Sequence, residues 1–126
     1  MKYIYNKLVR DKIPTEINKI DGRKASYKIL NDDEYIQELD KKLFEEAHEF
    51  TEEHSTEELG DLMEVIFAIM KKNNISIEEV EKVRKAKKDK KGGFENKIYL
   101  IDVEENQRNE SEEKELNKNW RKNVNS

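Results

Sequence analysis

The stretch Leu43-Phe44-Glu45-Glu46-Ala47-His48-Glu49-Phe50, followed by Glu57-Glu58-Leu59-Gly60-Asp61-Leu62, decides how this chain is read. Around it, apolar residues fall at Tyr35, Leu39, Leu43, Ala47 and Phe50, and again at Leu59, Leu62, Met63, Ile66, Ile69 and Met70. Steps of three and four residues are the period of one helix face. Asn31 to Asp33 supply N-cap candidates for the first helix, and Thr56 supplies one for the second. The connection, about residues 53–56, is short, and short connections make antiparallel neighbours. The spacing therefore predicts a helical hairpin.

Both helices carry acids close to this turn. Glu46 and Glu49 are three apart, as are Glu58 and Asp61, so each pair shares a helix face. Glu45 and Glu49, four apart, are neighbours too. Each like-charge pair at about 4 Å costs on the order of 4 kcal/mol at an effective dielectric near 20. Carboxylates that converge must therefore protonate in part or take up a cation. An all-oxygen donor set, no cysteine and only two histidines point to Mg²⁺, with Mn²⁺ as a substitute, rather than zinc. In a chain that is 43% charged, the same acids also read as a solvated face. Spacing leaves both readings open. Gly60 costs about 1 kcal/mol relative to alanine inside a helix, which points to close approach by a helix or ligand.

Outward from the hairpin, Pro14 marks the N1 position of a short helix and Asp21-Gly22 a turn. Residues 25–30 read as a short strand or an extended connection. Ser76 and Glu79 form a capping-box pattern that opens a further helix over 77–88. Gly92-Gly93 breaks the chain, and residues 97–101 read as a short strand. Lys85, Lys87, Lys88, Lys90 and Lys91 precede the glycine pair. They suit a polyphosphate, or equally a solvated helix end complementing the helix dipole. Arg10 and Lys12 are further candidates for phosphate contacts. His48 and His54 stand in no triad-like arrangement, and Tyr3, Tyr5 and Tyr27 read as packing residues.

The composition sets the limits. With 126 residues there is room for one domain. Only 34% are hydrophobic, and residues 104–126 contribute just Leu116, Trp120 and Val124. Without that polar tail, 40 of 103 residues are hydrophobic, still below the usual 45–50%. The lean core predicts helices that complete their burial against another copy. The absence of cysteine excludes disulfides, thiolate metal sites and cysteine nucleophiles. No apolar run reaches membrane-spanning length, and the first ten residues lack a secretory apolar region. The expectation is a soluble, cytoplasmic protein. A net charge of -4, with signs nearly balanced, argues against stable nucleic-acid binding.

Tyr5-Asn6-Lys7-Leu8-Val9-Arg10-Asp11-Lys12-Ile13-Pro14 resembles the opening of the small phosphoribosyl-ATP pyrophosphohydrolase-like proteins of the MazG-like all-α NTP pyrophosphatase superfamily. Residues 43–50 with Glu58-Leu59-Gly60-Asp61 resemble that superfamily's E-E-x-x-E and E-x-x-D metal motif. Lys91-Gly92-Gly93-Phe94 with Ile98-Tyr99-Leu100 resembles a later segment of the same subgroup. The resemblance covers about residues 3–103, with lysine at position 91 where arginine is expected.

That resemblance implies hydrolysis of a nucleoside triphosphate, or a related nucleotide, between the α and β phosphates. It places Glu46, Glu49, Glu58 and Asp61 as Mg²⁺ ligands, and Glu45 as a further ligand or the base that activates water. In the resulting mechanism Glu45, or Glu46 beside it, takes the water's proton. Arg10, Lys12, Lys88 and Lys91 offset phosphate charge. The expected architecture is all-α: a hairpin completing a four-helix-type bundle in a homodimer or higher homo-oligomer. A minor extended segment is expected over 97–103, and the domain itself over 1–103. The alternatives are a phosphoribosyl-ATP pyrophosphohydrolase of histidine synthesis, and a non-catalytic helical oligomer that binds a partner through its acidic face.

Overall fold

The computed structural model of the chain describes residues 1–106; the tail from 107 onward, with Leu116, Trp120 and Val124, lies outside the described residues. Four helices follow one another: α1 Ile13–Asn18, α2 Asp32–Glu53, α3 Thr56–Lys72 and α4 Ile77–Lys91. The chain divides into a first unit, Met1–Lys91, and a second that begins at Gly92. The architecture is all-helical, and no strand forms among the described residues.

The starts of α2, α3 and α4 are written in short polar side chains. Asn31 accepts from the Glu34 backbone N–H at 2.9 Å, and the Glu34 carboxylate accepts from the Asn31 N–H at 3.3 Å. This reciprocal pair satisfies two donors that an α-helix leaves unpaired at its first turn. It also holds the Glu34 carboxyl below its ordinary range, first through the Asn31 backbone bond and then through Lys28. At α3 the cap is Ser55, whose hydroxyl accepts from the Glu58 N–H at 3.1 Å. Thr56, expected as the cap, is the first helical residue instead. Ser76 opens α4 as expected, accepting from Glu79 N–H at 3.1 Å. Pro14 is the second residue of α1, not the first, where its missing N–H is still harmless.

Helices α2 and α3 end with left-handed residues. Asn74 has φ 54° after α3. Its N–H donates to the Lys71 carbonyl at 3.3 Å, and the Ile75 N–H donates to the Met70 carbonyl at 2.9 Å. These two bonds form a Schellman closure. His54 ends α2 with φ 54°, donating its N–H to the Phe50 carbonyl at 2.6 Å. Its ring meets Phe50 edge-on at 5.0 Å. The hairpin turn is thus His54 and Ser55, tighter than the four residues expected.

Helices α2 and α3 form the one extensive helix–helix contact among the described residues. Within it only Leu39 and Val65 are buried, at 3% and 8% relative exposure. The core is even leaner than the composition suggests. On α3, Leu62 and Val65 turn inward, whereas Leu59, Met63, Ile66 and Phe67 remain exposed on another face. Phe44 on α2 is 76% exposed. Tyr3, Tyr5 and Tyr27 are exposed too, which corrects their reading as packing residues.

The second unit corrects the strand expectation. Lys97 takes φ 59° and closes a turn, donating its N–H to the Phe94 carbonyl at 3.2 Å. Lys97 itself is therefore not extended. Residues 98–103 then run without regular structure, and no strand pairs with them among the described residues. In the first unit, residues 25–30 form no strand and serve as the connection between α1 and α2, the other reading the sequence allowed.

Candidate metal site at the hairpin

The two-residue turn sets acids from both helices at one level. Carboxylate oxygens of Glu46 on α2 and of Glu58 and Asp61 on α3 all lie within 4.8 Å of one another. All three residues are half-buried. Two oxygens on opposite sides of a Mg²⁺ ion stand about 4.2 Å apart, from bonds of about 2.1 Å. Small rotations of side chains already this close would reach that spacing. A hard, all-oxygen donor set of this kind fits Mg²⁺ or Mn²⁺.

Charge is concentrated here, and the Glu58 carboxyl reports it. Partial burial pushes its pKa above the ordinary range, and the neighbouring charges of Asp61, Glu49, Glu53 and Glu46 push it the same way. Glu49 therefore shares the field of the group, although it is exposed and stands outside the close triad.

The chain brings its own cations to these acids. Lys42 reaches Glu45 at 3.4 Å and Glu46 at 3.5 Å from one turn earlier on α2. From the segment before α1, Lys7 donates to Glu45 at 2.9 Å and Arg10 to Asp61 at 2.8 Å. The hydrogen bond from Lys7 is the largest cause holding the Glu45 carboxyl below its ordinary range, with Lys42 acting the same way against partial burial. The same bond raises Lys7. A depressed pKa makes Glu45 a better ligand or charge anchor than a proton acceptor. Sequence reading missed Lys7; its only signal was position, three residues before Arg10.

The remaining candidates lie at the ends of α1 and α4. Lys12 is the N-cap residue of α1 and makes no side-chain cap bond. Lys88 and Lys91 occupy the last turn of α4, outside the packed pair of helices. The position of Gly60 is open: a Cβ built there meets nothing within 4 Å, so no neighbour among the described residues uses the close approach that glycine permits. No helix of the described residues is long and apolar enough to cross a membrane. Searches for related proteins matched the chain to no family model, no curated protein and no solved structure.

Proposed function

We propose that this chain is a cytoplasmic, Mg²⁺-dependent nucleotide pyrophosphohydrolase, cleaving a nucleoside triphosphate or related nucleotide between the α and β phosphates. The observation that carries the reading is the meeting of Glu46 with Glu58 and Asp61 across the α2–α3 turn. The motif resemblance of residues 5–14, 43–61 and 91–100 supports it.

In this reading Glu46, Glu58 and Asp61 hold the ion, and Glu49 completes the set from the exposed side. The ion, when bound, lowers the pKa of a coordinated water and offsets phosphate charge. Glu45 stands beside the ligands as an additional oxygen donor, or as the acceptor of the water's proton. Its low pKa, set by Lys7 and Lys42, favours the donor role. Arg10 is the phosphate-contact candidate that the fold brings to the acids. Lys12, Lys88 and Lys91 are the further phosphate-contact candidates of the resemblance.

A homodimer belongs to the same proposal. The exposed face of α3, with Leu59, Met63, Ile66 and Phe67, suits the same face of a second copy. Two hairpins joined this way make a four-helix bundle and give α3 a partner on both of its apolar faces.

The test is pyrophosphate release from the standard ribo- and deoxyribonucleoside triphosphates and phosphoribosyl-ATP, with and without Mg²⁺. Mg²⁺-dependent release supports the reading, and preference for phosphoribosyl-ATP selects the histidine-synthesis alternative. No release from any of them, by an oligomer that takes up no Mg²⁺, selects the non-catalytic oligomer.

A further inference from the structure

We propose that α4 pairs antiparallel with α4 of a second copy of this chain, at a contact separate from the α3 face and independent of the nucleotide reading. All 15 residues of α4 are exposed, and it makes no extensive contact with another helix among the described residues. A helix of this length, unsupported on every face, is marginal in water. It nonetheless carries apolar side chains into solvent: Ile77 is 47%, Val80 39% and Val83 69% exposed.

The residue types of α4 are arranged about one midpoint, between Glu81 and Lys82. At equal distances on either side stand Val80 and Val83, then Ile77 and Ala86. The charges share that centre with the sign reversed: Glu81 mirrors Lys82, Glu79 mirrors Arg84, and Glu78 mirrors Lys85. Two-fold antiparallel pairing about the midpoint sets Val80 level with the partner's Val83. It also lays the acidic half of each helix along the basic half of the other. A parallel pair would set like charge against like. The contact is isologous, so one surface serves both copies.

The helix dipole does not account for this order. It acts within the first and last turns, whereas the sign changes in the middle of the helix and the apolar residues flank the change. Within one chain these charges are mostly unused. Arg84 pairs with Glu81 at 2.7 Å, and Glu78, Glu79, Lys82 and Lys85 make no ion pair among the described residues. A polyanion or an anionic membrane fits less well, because either would bring like charge to Glu78, Glu79 and Glu81. The apolar seam is short and the charges are exposed, so the contact is weak and forms at higher concentration than a dimer through α3.

The test is sedimentation velocity of the full chain over a concentration series, with circular dichroism confirming helix content. Wild type is compared with E78K/E79K/E81K and K82E/R84E/K85E, which make the charges of residues 78–85 all basic or all acidic. Each reversed chain alone is expected to associate through α4 about tenfold more weakly than wild type. An equimolar mixture of the two is expected to recover wild-type association. Any dimer through α3 is common to every sample, so the gain on mixing reads α4 alone. Adding V80S/V83S to both reversed chains is expected to remove that gain. Equal association by wild type and both reversed chains, or a mixture no larger than its components, overturns the proposal. Wild-type chain that binds duplex DNA or phosphatidylserine vesicles through Lys82, Arg84 and Lys85 without associating through α4 overturns it too. If a reversed chain loses helix, V80S/V83S in the otherwise wild-type chain decides: the proposal requires weaker association there.

Discussion

Arg10 donates to Asp61 at 2.8 Å across 51 residues of sequence, so a residue of the N-terminal segment and a residue of α3 share one electrostatic site. The pair ties the opening of the chain to the turn-proximal end of the hairpin. It also supplies positive charge where Glu46, Glu58 and Asp61 crowd together.

The triad makes the first prediction. Glu46→Gln, Glu58→Gln and Asp61→Asn each remove one anionic donor while keeping shape. Each is expected to weaken Mn²⁺ uptake and Mg²⁺-dependent pyrophosphate release by about 100-fold. Glu81→Gln, whose carboxylate pairs with Arg84 on α4, serves as the control and is expected to leave both unchanged. Full activity in Asp61→Asn would contradict the assignment.

The capping box at α2 gives a stability prediction with a definite pH sign. Asn31→Ala is expected to lower unfolding free energy by about 1 kcal/mol, measured by urea denaturation at neutral pH. Glu34 has a folded-state pKa below its unfolded one. Its contribution is therefore present above the ordinary carboxylate range and is lost as pH falls through the lower folded value. The melting-temperature gap between wild type and Glu34→Gln should accordingly close on acidification. A gap that widens instead contradicts the reciprocal bond.

Gly60 separates intrachain stability from assembly. Open space surrounds a Cβ at that position. Gly60→Ala should therefore raise the stability of the isolated chain by about 1 kcal/mol through helix propensity alone. If glycine is there to admit a partner or a phosphate, the same substitution lowers dimer affinity or raises KM. Calorimetry at low concentration and sedimentation across a concentration series read the two effects apart.

The exposed face of α3 makes a prediction about assembly. Met63→Glu together with Phe67→Glu puts charges onto the proposed dimer face without touching Leu39 or Val65. The double variant is expected to sediment as a monomer at concentrations where wild type is dimeric, and to be less stable because the face loses its cover. Wild-type chain that stays monomeric at every concentration rules the bundle out.

Helix ends test the turn chemistry. Asn74 sits at φ 54°, where glycine meets no steric penalty. Asn74→Gly is expected to preserve or slightly raise thermal stability, whereas Asn74→Val should lower it by about 1 kcal/mol or more, since a β-branched residue resists that conformation.

Much of the helical order could be read directly from residue types. The steps between Leu39, Leu43, Ala47 and Phe50, and between Leu62, Ile66 and Ile69, define helices because helical geometry is local and repeats every few residues, but the second stripe left out Val65, the residue of α3 that is buried. Asn31 and Ser76 marked helix starts because capping bonds reach only a few residues. The same locality misled at residues 97–101. An apolar run with β-branched and aromatic residues looks like a strand, yet a strand exists only when a distant segment pairs with it. His54 as a left-handed cap was also hidden, because that conformation is usually signalled by glycine.

The sequence by itself determined the two acid-bearing helices and the short turn between them, because periodicity and capping act over a few residues. Only the tertiary structure decided which acids meet and which cations reach them. Glu46 joins Glu58 and Asp61, Glu45 is held by Lys7, and Arg10 arrives at Asp61. Those contacts depend on how two helices rotate against each other and where a distant segment lies, and residue spacing carries no information about either.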